Sequence, residues 1–116
     1  MINGLVTETD TQLEILASIV HERKRQDNKW GPVPRIDHDF GKWLQILMEE
    51  IGEASAEDLA DEWRKENKVA RRSVVNYRSK IDQELIQAAS VLVAWLEHRV
   101  IGYKKADEAY NARKND

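Results

Sequence analysis

The sequence predicts an all-α fold: a helical bundle of three long helices plus a short C-terminal helix, completed by oligomerisation. Apolar residues recur at helical spacing along most of the chain, and no stretch alternates as a half-buried strand does. The 2 prolines and 5 glycines among the 116 residues fall mainly where punctuation between helices is needed. Hydrophobic residues make up 41% and charged residues 34%, too apolar for a disordered chain and enough for one core.

The first helix is expected over residues 11–27. Leu13, Leu16, Ala17 and Val20 share one face, which Ile15 and Ile19 widen. Thr11 with Glu14 reads as a capping box, and Thr9 with Gln12 serves equally well. The basic run ending at Arg25 lies near the negative end of the helix dipole. Trp30-Gly31-Pro32-Val33-Pro34 cannot continue a helix, because proline lacks the N–H and restricts its predecessor, so residues 28–38 read as a loop. Asp39 is the expected N-cap of a second helix reaching residue 65, and a polar connector follows over 67–73. The third helix is expected over 76–101, with Ile81, Leu85, Ala88, Leu92 and Trp95 as its stripe. Gly102 suits the position just past its end, leaving 103–113 for the short fourth helix. The run from Val91 to Leu96 is apolar on nearly every side, so a second copy of the chain is the expected neighbour.

Composition narrows the function. The formal charge of −3 gives no electrostatic footprint for nucleic acid, and the pair Arg71-Arg72 with Arg78 makes only a small basic patch. The absence of Cys excludes disulfide scaffolds, thiol catalysis and cysteine–zinc sites. His21, His38 and His98 share no metal-binding spacing. Residues 1–10 lack the basic cluster and apolar core of a signal peptide. The apolar run at 91–96 is far short of the ~20 residues that span a bilayer. The expectation is one cytoplasmic domain over 1–116, with no nucleic-acid or membrane partner.

The informative feature is Glu49-Glu50-Ile51-Gly52-Glu53. With Trp43 as origin and ~100° per residue, Glu50 falls at ~340°, between Ile46 at ~300° and Ala54 at ~20°. Glu53 at ~280° and Glu49 at ~240° continue from the edge of that apolar arc. On the third helix, with Ile81 as origin, Glu84 at ~300° sits between Val91 at ~280° and Trp95 at ~320°, with Gln87 at ~240°. Two packed helices then point carboxylates at one another. Buried carboxylates are costly unless paired, protonated or metal-bound, and several together repel. Lys42 and Arg78 offer partial compensation; hard divalent cations are the simpler solution, Mg²⁺ first and Mn²⁺ as a substitute. Glu49 and Glu53 also fit a solvated acidic face, whereas Glu50 and Glu84 lie within apolar stripes.

Glu49-Glu50-x-x-Glu53 followed by Glu84 resembles the acidic signature of the MazG-like, all-α nucleoside triphosphate pyrophosphohydrolases. The resemblance covers about residues 25–97. It includes Gln26-Asp27-Asn28-Lys29-Trp30-Gly31, Lys42-Trp43-Leu44 and Glu84-Leu85-Ile86-Gln87-Ala88-Ala89, and is greatest to short members found in phages and prophages. It implies an oligomeric bundle, a homodimer or homotetramer, that uses Mg²⁺ to hydrolyse a (deoxy)nucleoside triphosphate to monophosphate and pyrophosphate in nucleotide-pool housekeeping. Carried over by position, Glu50, Glu53 and Glu84 are metal ligands, and Glu49 is a further ligand or the base for the attacking water. Gln87 departs from the pattern, standing where the family usually has Asp. Its amide oxygen can bind Mg²⁺ but brings no charge, which implies fewer or looser metals, or a role through water.

Among substrate-binding candidates, Trp30 is placed either to stack on a base or to plug the bundle end. Lys29, Arg35 and Lys42 are cations within reach of phosphates, although exposed loop cations are commonly just solvated. Lys104, Lys105, Arg113 and Lys114 form a basic C-terminal segment that suits a solvated tail. Trp43, Trp63 and Trp95 read as core or interface aromatics. The competing reading of the whole chain is a non-catalytic helical interaction module on the same scaffold.

Overall fold

The computed structural model describes residues 7–33, 36–66 and 74–114. Three helices hold nearly all of them: α1 (Glu8–Trp30), α2 (Phe40–Glu66) and α3 (Val74–Lys114). No strand occurs among the described residues, so the chain is an all-α bundle. α3 is its spine, with α2 and α1 each packed against it. The expected connector at 67–73, with Arg71 and Arg72, and the substrate candidate Arg35 lie outside the described residues.

The ends of α1 differ from expectation for local reasons. Its N-cap is Thr7, whose Oγ1 accepts from the Asp10 N–H at 3.1 Å, while the Thr11 hydroxyl donates to the Thr7 carbonyl at 3.2 Å. Glu8 and Asp10 then place negative charge at the positive end of the helix dipole. The helix continues to Trp30, which therefore closes α1 instead of sitting in a loop. Gly31 stops it, adopting φ 90° and donating its N–H to the Asp27 carbonyl at 2.9 Å. A side chain at that φ would cost about 1–2 kcal/mol, so glycine is required here. α2 starts as the sequence predicts: Asp39 Oδ1 accepts from the Lys42 N–H at 2.8 Å.

No separate fourth helix forms. α3 runs through Gly102 to Lys114 without a break, 41 residues in all. Glycine within a helix costs about 1 kcal/mol relative to alanine. Lys104, Lys105, Ala106, Glu108, Ala109 and Ala112 are good helix formers and carry the helix past it. The basic residues beyond Gly102 are exposed along this extension. By length and composition alone, Lys80–Lys114 could cross a membrane, a test that the central helix of a soluble bundle also passes.

Two helices are rotated from the faces their apolar stripes suggest. Leu13, Leu16 and Val20 of α1 are each more than half exposed, and the buried residues of α1 are Glu22 and Arg23. Arg23 sets this orientation. Its guanidinium donates to Glu97 on α3 through Nε at 3.0 Å and Nη2 at 2.9 Å, to Asp27 at 2.8 Å and to Gln26 at 3.1 Å. Charge-assisted, forked bonds of this kind offset the desolvation of a buried guanidinium. On α3, Leu85 and Leu92 face outward, and the buried face is Glu84, Ala88, Val91 and Ala94. The small side chains of Ala88 and Ala94 make room for the large Trp43.

The core consists of Val33, Trp43, Leu47, Ala88, Val91 and Ala94, flanked by Ile36, Ile46, Trp95 and Ile101. Trp43 lies nearly parallel to Trp95, with centroids 6.5 Å apart, while His38 and His98 pack against its ring. Both histidines thus serve as packing partners of one tryptophan. Trp63 is exposed.

Candidate metal centre

Glu50 and Glu53 project from successive turns of α2, and Glu84 projects from α3 across from them. One carboxylate oxygen from each lies within 4.8 Å of the other two. The spacing of three puts Glu50 and Glu53 on one helix face. Trp43, Leu47 and Ala54, all buried, fix which way that face points. On α3, the buried Ala88 and Val91 do the same for Glu84, one turn earlier. The three carboxylates run from interior to surface: Glu84 is buried, Glu50 half-buried and Glu53 exposed.

This arrangement disfavours ionisation. Burial pushes the Glu50 carboxyl above its ordinary value, and the charges of Glu53, Glu22 and Glu49 push it further, opposed only by Arg25. Glu84 is likewise raised, first by burial, then by a hydrogen bond with Glu53 and by the charges of Glu53 and Glu50, against a small opposing effect of Lys80. Gln87 joins the same group. Oriented by its neighbours, its amide turns the nitrogen inward and donates to Glu84 Oε2 at 3.3 Å and Glu50 Oε2 at 3.1 Å. It therefore holds two of the carboxylates in place; rotating the amide would offer its oxygen instead.

A cleft of about 910 Å³ opens beside these side chains. Glu49, Glu50, Glu53 and Gln87 line its acidic part, and Lys29, Trp30, Lys42 and Trp43 line other parts of it. The volume is within the range of small-molecule sites. Glu84, beneath, is not part of the lining. Trp30 is 69% exposed, with the Lys29 ammonium 4.9 Å from its ring centroid, so it caps the cleft rim and does not plug the bundle. Glu49 is exposed and outside the triad of converging carboxylates.

Glu22 and Arg25, also on the cleft wall, are absent from the sequence-based candidates. Glu22 is 9% exposed and is gripped by Arg25. The signal available was weak: a Glu and an Arg three apart is an ordinary surface pair, and only the rotation of α1 turns it inward. Comparison of the chain with protein-family models, curated proteins and solved structures gives no match.

Proposed function

We propose that this chain is a Mg²⁺-dependent, homo-oligomeric hydrolase that converts a (deoxy)nucleoside triphosphate to the monophosphate and pyrophosphate. The observation that carries this reading is the convergence of Glu50, Glu53 and Glu84 from two helices to within 4.8 Å at the edge of a cleft. The donor set suits the ion. It is all oxygen, and the raised carboxyls of Glu50 and Glu84 mark a site short of positive charge. Glu50, Glu53 and Glu84 would hold the ion through one carboxylate oxygen each, with water completing its shell. Mn²⁺ fits the same ligands.

A divalent ion bound there supplies charge neutralisation for the phosphates and lowers the pKa of an attacking water. Glu50, Glu53 and Glu84 hold the ion, and Gln87 steadies Glu50 and Glu84. Glu49, beside Glu50 on the cleft wall, takes the proton from the attacking water. Lys29 and Lys42 offer cations to the phosphates, and Trp30 offers a ring to the base.

Self-association belongs to the same reading. The accessible surface is 9216 Å², against ~6,500 Å² for a compact chain of this mass. The difference of about 2,700 Å² exceeds what one partner in a standard interface contributes. Leu13, Leu16 and Val20 on α1 with Leu92 and Leu96 on α3 supply apolar surface for it. That surface serves equally a non-catalytic interaction module, so hydrolysis decides between the two.

The decisive experiment follows pyrophosphate release by ³¹P NMR across a panel of ribo- and deoxyribonucleoside triphosphates with Mg²⁺. Wild type is expected to release pyrophosphate, and Glu50→Gln to lose at least ~100-fold in rate, about 2.7 kcal/mol of transition-state stabilisation. Full turnover in that variant, or no release by wild type from any nucleotide, overturns the enzymatic reading and leaves the interaction module.

A further inference from the structure

We propose that Arg25 binds the polyphosphate chain of the substrate and that Glu22 is the residue that positions it, an inference resting on the triphosphate reading above. The cations around the cleft are not equivalent. Arg23 is committed to Glu97, Asp27 and Gln26. Lys29 lies over the Trp30 ring, and Lys42 is an exposed side chain of α2 on the cleft lining. Arg25 is the cation whose charge acts on Glu50, and it shares the cleft wall with it. Phosphate oxygens drawn to an ion on Glu50 therefore come to Arg25 as well.

The geometry of the pair suits this task. Arg25 Nε donates to both Glu22 oxygens at 3.0 and 2.8 Å, and Nη2 donates to Oε1 at 2.6 Å. Among the described residues, Nη1 makes no hydrogen bond. One edge of the guanidinium is thus fixed, and another is left for a forked contact to phosphate, the geometry in which arginine surpasses lysine. The Glu22 side chain is only 11% exposed, whereas Arg25 is 49% exposed. A buried post holds a half-exposed cation.

Stability alone does not account for the pair. An ion pair between neighbouring turns of one helix stabilises it only slightly. Against that, the Glu22 charge adds to the repulsion already raising Glu50. Presenting a rigid guanidinium beside the acidic cluster gives the buried glutamate a purpose that stability does not.

The test uses the full chain, calorimetry with Mg²⁺, and two probes: inorganic tripolyphosphate and a nucleoside α,β-methylene triphosphate. Mn²⁺ binding alone is followed by electron paramagnetic resonance, and folding by circular dichroism. Arg25→Ala is expected to weaken both probes by at least ~10-fold, Arg25→Lys to recover part of the loss, and Mn²⁺ affinity to stay within ~2-fold. Glu22→Gln should weaken both probes several-fold with Mn²⁺ affinity unchanged, and in turnover both alanine and glutamine variants should raise KM more than they lower kcat. Unchanged probe affinity in Arg25→Ala overturns the inference; should that variant not fold, unchanged affinity in Arg25→Lys does so. A loss confined to the nucleoside probe would make Arg25 a base contact, and weaker Mn²⁺ binding in Glu22→Gln would make Glu22 a metal ligand; each overturns it too. A wild type that binds Mn²⁺ but neither probe removes the triphosphate reading itself, whereas normal wild-type binding with an indifferent Arg25 removes this inference alone.

Discussion

Glu84→Gln separates the charge of the acidic cluster from its shape. The substituted amide keeps the side-chain volume and can still accept from Gln87. Two unit charges 4.8 Å apart interact by ~0.9 kcal/mol in water and ~3.5 kcal/mol at an effective dielectric of 20. Glu53 is exposed and its repulsion belongs near the lower limit; Glu50 is half-buried and lies higher. In metal-free buffer near pH 7 the variant should therefore gain about 1–3 kcal/mol, or roughly 4–12 °C in Tm. The pH dependence follows from the raised carboxyls of Glu50 and Glu84. The folded state holds these protons more tightly than the unfolded state, so metal-free wild type loses stability as pH rises from the ordinary carboxyl value through the raised one. Below about pH 4 both states are protonated and the advantage of the variant disappears. Mg²⁺ should reverse the order, since an ion at 100 times its Kd adds about 2.7 kcal/mol to wild type and less to the variant. Thermal melts by circular dichroism at fixed protein concentration, in EDTA and in Mg²⁺ at both pH values, read all of this. A variant less stable than wild type in EDTA at neutral pH, or an equal Mg²⁺ gain in both proteins, refutes the reasoning.

Gly102→Ala should raise stability by about 0.5–1 kcal/mol, because an added Cβ meets nothing within 4 Å and the residue is helical; a loss in urea titration would mean that α3 breaks there. Leu16→Glu combined with Val20→Glu places charge on the exposed stripe of α1, where these side chains are 56% and 54% exposed. Sedimentation velocity should show an oligomeric wild type and a variant at the 13.5 kDa monomer mass with its helix content intact. A monomeric wild type removes the self-association reading.

What the sequence reveals about this fold is what short-range chemistry decides. The restart at Asp39 is a property of a single residue and appears where it was expected; the stop comes three residues later than expected, at Gly31, because nothing before that glycine breaks the helix. The inward aim of Glu50 was equally legible, because Trp43, Leu47 and Ala54 surround it at helical spacing and are large or close enough to dictate the buried side. The orientation of α1 was not. Its periodic stripe of Leu13, Leu16 and Val20 is outvoted by Arg23 and Glu97, partners 74 positions apart, and no local pattern announces such a pair. The same rotation brings Glu22 and Arg25 to the cleft, so missing the one meant missing the other. Gly102 is the opposite case: a residue that commonly ends helices is carried within α3 by the helix formers after it.

The distribution of side chains departs from that of a chain built only to fold, and it departs in two directions at once. Leucines are not scarce, yet Leu13, Leu16, Leu85, Leu92 and Leu96 face outward while Glu50, Glu84 and Gln87 occupy positions on the bundle's inner face. An apolar residue at position 84 would gain about 1.5–3 kcal/mol from burial where a carboxylate now resists ionisation. Local rules broken at one place in an otherwise consistent helical sequence point to function there. Under the proposed reading each departure has its own reason. A second copy would cover the outer leucines, and a bound cation would offset the repulsion among the three adjacent carboxylates. The outward apolar stripe and the inward acidic cluster then answer to a partner and to a ligand, and neither is accounted for by the stability of the isolated chain.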